Sequence, residues 1–199
     1  LDYNYTAAVI DAKAAADYLA GLETVDSGNL GVMGWSQGGT DALLAAEAHP
    51  DTFQAVVTWS GALELNGASL FAGTSFEDAY AQAKKEGFYT MTFDWREPLE
   101  LGERWFQEVA ETNILKVTAD IKAPILAING KDDTTVTPDN AEKIVKAAAN
   151  ADSQLLLVDN CDHTYNVFSG DFTALYQTVD ATAAFFQAQL IPAAAQAAA

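Results

Sequence analysis

The sequence predicts an α/β domain in three layers: a mainly parallel sheet of about four strands, helices on both faces, and a helical cap insertion. Three observations carry this. Short, continuous apolar runs at 30–33, 55–59, 124–129 and 154–158 read as strands buried on both faces. Amphipathic or alanine-rich segments of helix length alternate with them, as in a parallel sheet. The first apolar run ends in Gly34-Trp35-Ser36-Gln37-Gly38, a serine flanked by glycines between a strand and a helix.

Residues 4–20 read as an amphipathic helix with Asn4 as N-cap and Gly21 as stop. Its inward face carries Tyr5, Ala8, Val9, Ala12, Ala16 and Leu19. A turn cluster at 26–29 leads into the first strand. The helix after the serine runs through 40–48 and ends at His49-Pro50, where His49 suits exposed helix-end carbonyls. The strand at 55–59 follows.

The alternation then breaks over 62–120, a stretch too long for a simple connection. It is rich in aromatics: Phe71, Phe76, Tyr80, Phe88, Tyr89, Phe93, Trp95, Trp105 and Phe106. Helices are expected at 75–86 and 99–110. The aromatics either form the core of a small subdomain or lend an apolar wall to a site beneath it. Alternation resumes with the strand at 124–129, a helix at 138–149, the strand at 154–158 and a closing helix at 172–190. The expected organisation is a core of 1–61 and 121–190, a cap of 62–120 and an alanine-rich tail of 191–199.

Composition narrows the function classes. Half of the 199 residues are hydrophobic, enough for a real core. Acidic residues outnumber basic ones 28 to 10, for a net charge of −18, which disfavours nucleic acid and anionic membranes as partners. Such a surface suits a salt-adapted or secreted bacterial protein as well as a cytoplasmic one. No apolar run is long enough to predict a membrane span. The lone Cys161 allows no intramolecular disulfide, and two histidines, His49 and His163, give poor support to a zinc site. No metal or cofactor is expected. The first residues do not resemble a signal peptide, and a start at Leu1 suggests a processed or incomplete product.

Gly-x-Ser-x-Gly is the pattern of a nucleophile elbow, and it is also an ordinary glycine-rich turn. In the elbow, Gly34 and Gly38 would remove Cβ atoms that clash around Ser36. The Gln37 amide, first in the following helix, would face a developing oxyanion. A serine needs a base, and the base needs a carboxylate to orient it. Both residue types follow strands: Asp133 in the loop 130–136 and His163 in the loop after 158. The order Ser36, Asp133, His163 is a serine–acid–histidine order.

From residue 4 to 190 the chain resembles the C-terminal two-thirds of α/β-hydrolases of the dienelactone hydrolase, esterase and prolyl-oligopeptidase-like group. The resemblance rests on Gly34-Trp35-Ser36-Gln37-Gly38-Gly39, on the Gly-x-x-Asp-x-x-Val run Gly130–Val136, and on Asp162-His163. It implies a partial α/β-hydrolase fold and puts the acid on Asp133, with Asp132 as the rival. Asp162 is expected to shape its loop. It also implies upstream strands and a loop giving a second oxyanion donor, and nothing of that kind precedes Tyr5. Losing one donor costs roughly 10²–10³ in rate. The first strand would then be an open edge, through which two copies could pair.

The expected function is hydrolysis of a carboxylic ester by a serine nucleophile through an acyl-enzyme. One alternative is a peptidase of the prolyl-oligopeptidase-like group. The other is a non-catalytic fragment or interaction module with an open sheet edge.

Overall fold

The computed structural model describes residues 3–67, 70–71, 73–93 and 96–191. Trp95 and the alanine-rich tail from 192 onward lie outside them. Four parallel strands form the central sheet: β1 (Leu30–Trp35), β2 (Phe53–Trp59), β5 (Ile125–Gly130) and β6 (Gln154–Val158), in the order β1-β2-β5-β6. All four expected strands are present, and β1 runs two residues further than its apolar run, to Trp35. It is an edge strand of this sheet.

Side-chain alternation along the central strands sorts the core into two halves. Ala55 and Val57 of β2, with Leu126 and Ile128 of β5, pack on α7 (Thr173–Leu190) through Ala174 and Phe185. Val56, Ile125 and Ala127 point the other way. There they meet α2 (Gln37–Ala48), whose Ala42, Leu43, Ala45 and Ala46 are buried, and Ile144 of α6 (Asp139–Ala147). β2 and β5 read as continuous apolar runs because both of their faces are covered, β5 at every position, whereas β1 alternates and β6 begins exposed.

Outside this layer lies α1 (Tyr5–Ala20), packed on α2. The side chain of Asn4 accepts from the Ala7 amide, the expected N-cap. Tyr5 and Ala16 are buried, whereas Leu19 is 42% exposed, so the expected inward face is used only in part.

Residues 62–120 are not wholly helical. Helix α3 (Phe76–Glu86) falls where expected, but the helix expected at 99–110 begins only at Glu103, as α4 (Glu103–Glu111), because residues 99–102 are taken up as β4 (Leu99–Gly102) in an antiparallel pair with β3 (Phe88–Met91). The strands are four residues each, too short for periodicity to announce them. A further helix, α5 (Ile114–Asp120), packs on α2 and α6. The aromatics here largely form their own core. Phe71 is fully buried, with Phe76, Tyr89, Trp105 and Phe106 around it at ring separations of 5.7–6.4 Å. Among the described residues, no helix is long and apolar enough to cross a membrane.

Candidate active site

Ser36 sits between β1 and α2 with φ 56° and ψ −123°, a left-handed backbone that costs a non-glycine residue about 1–3 kcal/mol. The surroundings hold it there. Its amide donates to the Trp59 carbonyl at 2.9 Å, and its own carbonyl accepts from the amides of Gly39 and Ala62. The glycines contribute unequally. A Cβ on Gly34 would lie 1.8 Å from the Gly38 carbonyl oxygen, so only glycine permits this approach. A Cβ on Gly38 would meet nothing within 4 Å, which corrects the expectation that both glycines make side-chain room. What Gly34 accommodates is the backbone of Gly38.

Asp133 lies in the turn after β5 and is 2% exposed. Its Oδ1 accepts from the amides of Thr135 and Val136 at 2.9 and 2.8 Å. Its Oδ2 meets His163 Nδ1 at 2.8 Å and Asn129 Nδ2 at 3.4 Å. Burial works against ionisation of this carboxyl. The bonds from His163 and the Val136 amide, the charge of the imidazole and the Ser60 hydroxyl outweigh it, so its pKa falls below the ordinary carboxylate value. Asp132 is exposed; its backbone amide donates to the Cys161 carbonyl, and among the described residues its carboxylate makes no hydrogen bond to the imidazole.

His163 comes from the loop between β6 and α7. This loop lies against the end of β5 so closely that a Cβ on Gly130 would be 2.1 Å from the Cys161 carbonyl oxygen. Asp162 folds the loop on itself: Oδ1 accepts from the amides of Thr164 and Asn166 and from the Thr164 hydroxyl. His163 Nε2 then stands 3.2 Å from Ser36 Oγ. With Asp133 ionised, the network assigns the imidazole proton to Nδ1 and leaves Nε2 to accept from the serine hydroxyl. Such a line can draw a proton from Ser36 and hold the positive charge that results.

The elements around this line include residues that sequence patterns did not single out. Trp35 donates its indole N–H to the His163 carbonyl at 2.9 Å. Tyr165 reaches the Ile128 carbonyl and the Ser60 hydroxyl, at 3.3 and 3.2 Å. Asn129, fully buried, donates to Val136 O at 2.9 Å. Its one available signal was an amide inside a buried apolar strand. Cys161 is buried; burial first, then the carboxylates of Asp162, Asp133 and Asp132, pushes its thiol up to about 11, so it stays protonated at neutral pH.

The Gln37 amide opens α2, where first-turn N–H groups have no intrahelical partner. The Gln37 side chain points elsewhere: its Oε1 accepts from the indole of Trp105, on α4, at 3.4 Å.

Fold and site together define an α/β-hydrolase. A model of the prolyl oligopeptidase family matches residues 4–191, and the chain belongs to that family. Among solved structures it is similar to Est1E from Butyrivibrio proteoclasticus, at 19% identity and TM-score 0.68, covering 96% of this chain and 73% of that one. It is similar to the monoacylglycerol lipase of Paleococcus ferrophilus, at 18% identity and TM-score 0.70, covering 94% and 76%. A puromycin-hydrolysing peptidase from Mycobacterium tuberculosis matches at 23% identity and TM-score 0.64, covering 92% of this chain and 25% of that one.

Proposed function

We propose that the protein is a serine hydrolase that cleaves carboxylic esters through an acyl-enzyme. One observation carries the reading: His163 stands between Ser36 and Asp133, at 3.2 Å from Oγ and 2.8 Å from Oδ2. In this reading Ser36 Oγ attacks the acyl carbon while His163 Nε2 takes its proton. Asp133 keeps the ring oriented and stabilises the imidazolium. The Gln37 amide donates to the oxyanion as the carbonyl opens. His163 returns the proton to the leaving alkoxide, and an acyl-serine remains. Water then attacks with His163 as base again, releasing the acid and restoring the hydroxyl.

Ester chemistry is favoured because an alkoxide leaves more readily than an amine and asks less of the oxyanion donors. The similar proteins Est1E, also solved with ferulic acid bound, and the monoacylglycerol lipase support it by their names. The alternative is a peptidase, supported by the family match. The same proposal gives residues 62–120 the role of a cap, supported by the bond from Trp105 to Gln37 beside the nucleophile.

A fluorophosphonate probe and a panel of p-nitrophenyl esters against peptide p-nitroanilides test this. Ser36 should be labelled, esters should be preferred, and Ser36→Ala should abolish both turnover and labelling. Preference for the anilides would replace the ester reading by the peptidase one. A folded protein that neither labels nor turns over would be non-catalytic.

A further inference from the structure

The residue on which the proposed proton transfer turns is held from an awkward direction. Ser36 lies at the end of β1, whereas His163 comes from the loop after β6, at the opposite side of the sheet. Three inter-strand spacings separate these strands, about 14 Å at roughly 4.8 Å each. The loop must therefore reach over the carboxyl ends of β5 and β2 to bring the imidazole to the serine.

Two anchors flank His163: Cys161 O accepts from the Asp132 amide after β5, and Tyr165 Oη donates to Ile128 O and meets the Ser60 hydroxyl after β2. The loop's internal bonds, from Thr164 and Asn166 to Asp162, stiffen it without fixing it to the sheet. Backbone at Asn160, Tyr165 and Asn166 adopts φ of 50–60°, a left-handed turn that the two asparagines accept readily and Tyr165 does not. Between the two anchors, among the described residues, the bond from Trp35 Nε1 to His163 O is the one that ties the loop backbone to β1. The indole also lies beside the imidazole, with ring centroids 5.2 Å apart and planes at 38°.

We infer that Trp35 is a positioning residue for His163: its indole ties the crown of the loop, between the anchored Cys161 and Tyr165, to β1 and holds the imidazole between Asp133 and Ser36. This rests on the proposed hydrolase activity. Tryptophan suits the task because its N–H lies at the far edge of a rigid bicycle and can only donate. A bond to the backbone carbonyl fixes the Cα of His163, while the adjacent ring face limits how the imidazole turns. Displacements of an ångström at a reacting group cost far more in rate than in stability.

Trp35→Phe keeps an aromatic ring on β1 and removes the N–H. With an ester substrate, kcat should fall about tenfold, the worth of a typical net hydrogen bond, with KM within about twofold. Labelling of Ser36 by a fluorophosphonate should slow in parallel, because it also needs the activated hydroxyl. Should Trp35→Phe lower the melting temperature by more than about 5 °C, benzothienylalanine at position 35 decides, since it keeps the bicycle and lacks the donor. A folded variant with wild-type kcat and labelling rate overturns the role of Trp35. A fall in KM-dependent binding alone, with kcat intact, overturns it equally. Inactive wild-type protein instead defeats the hydrolase reading itself, so the two failures are distinguishable.

Discussion

Gln37 and Asp41 lie one helical turn apart on α2, and each buries a polar atom that meets no hydrogen-bond partner among the described residues: Nε2 of Gln37 and Oδ1 of Asp41. Burial pushes the Asp41 carboxyl up to about 7, and the nearby Gln37 amide offsets this only in part. An unfolded chain would ionise Asp41 near its ordinary 3.8. Stability linked to this group is thus full below about pH 4 and drains as pH rises, until the folded group ionises near 7. The loss is at most about 4 kcal/mol, from a shift of about three units. Asp41→Asn should raise the melting temperature, and the gap from wild type should widen between pH 5 and pH 8. An equal gap at both would show that Asp41 does not titrate as its burial implies.

The two adjacent aspartates after β5 should behave very differently. Asp133 holds the imidazole and two backbone amides, while Asp132 is exposed. Asp133→Asn presents an amide that can donate to Nδ1 and so favours the wrong tautomer. Ester kcat is expected to fall by about 10⁴-fold, as for a triad acid. Asp132→Asn should stay within a few-fold. Steady-state kinetics on both variants separates them, and comparable losses would refute the assignment.

The elbow glycines allow a matched pair. Gly34→Ala would drive a methyl to 1.8 Å from the Gly38 carbonyl oxygen, and both partners are backbone, so the elbow cannot close around it. The expected cost exceeds about 4 kcal/mol, read as loss of the cooperative urea transition. Gly38→Ala meets open space inside α2 and should stabilise by up to about 1 kcal/mol through helix propensity. Equal destabilisation by both would contradict the asymmetry.

Phe71 is fully buried among four other aromatic rings in the 62–120 segment. Phe71→Ala should cost about 3–5 kcal/mol by leaving a cavity there. Chemical denaturation with a single transition would show that this segment and the sheet unfold together. A separate early transition would mark 62–120 as its own folding unit.

Much of the fold was legible because its signals are local. The runs at 124–129 and 154–158 are apolar but for Asn129 at the end of one and Gln154 at the start of the other, and β5 and β6 are there. Asn4 caps α1 by its own side chain, as its place before the amphipathic segment implied. The β3–β4 pair was not legible, since each strand is four residues long and their pairing is decided by packing around Phe71 and Phe106. Gly38 was misjudged for a related reason. A glycine in a motif shows that a constraint exists, but whether Cβ or backbone causes it depends on what lies opposite.

The sequence by itself determined the chain order of serine, acid and histidine, the strand-then-loop placement of each, and a strand–helix alternation that leaves a parallel sheet as the consistent solution. Residue types and spacing left Asp132 and Asp133 as rivals, the family resemblance favoured Asp133, and the tertiary structure turns Asp133 to the imidazole through one tight turn after β5. Only the tertiary structure brought Trp35 to His163, 128 residues away. Contacts of that kind arise from strand order, and strand order is set by the global burial of apolar faces, which no local stretch of the chain encodes.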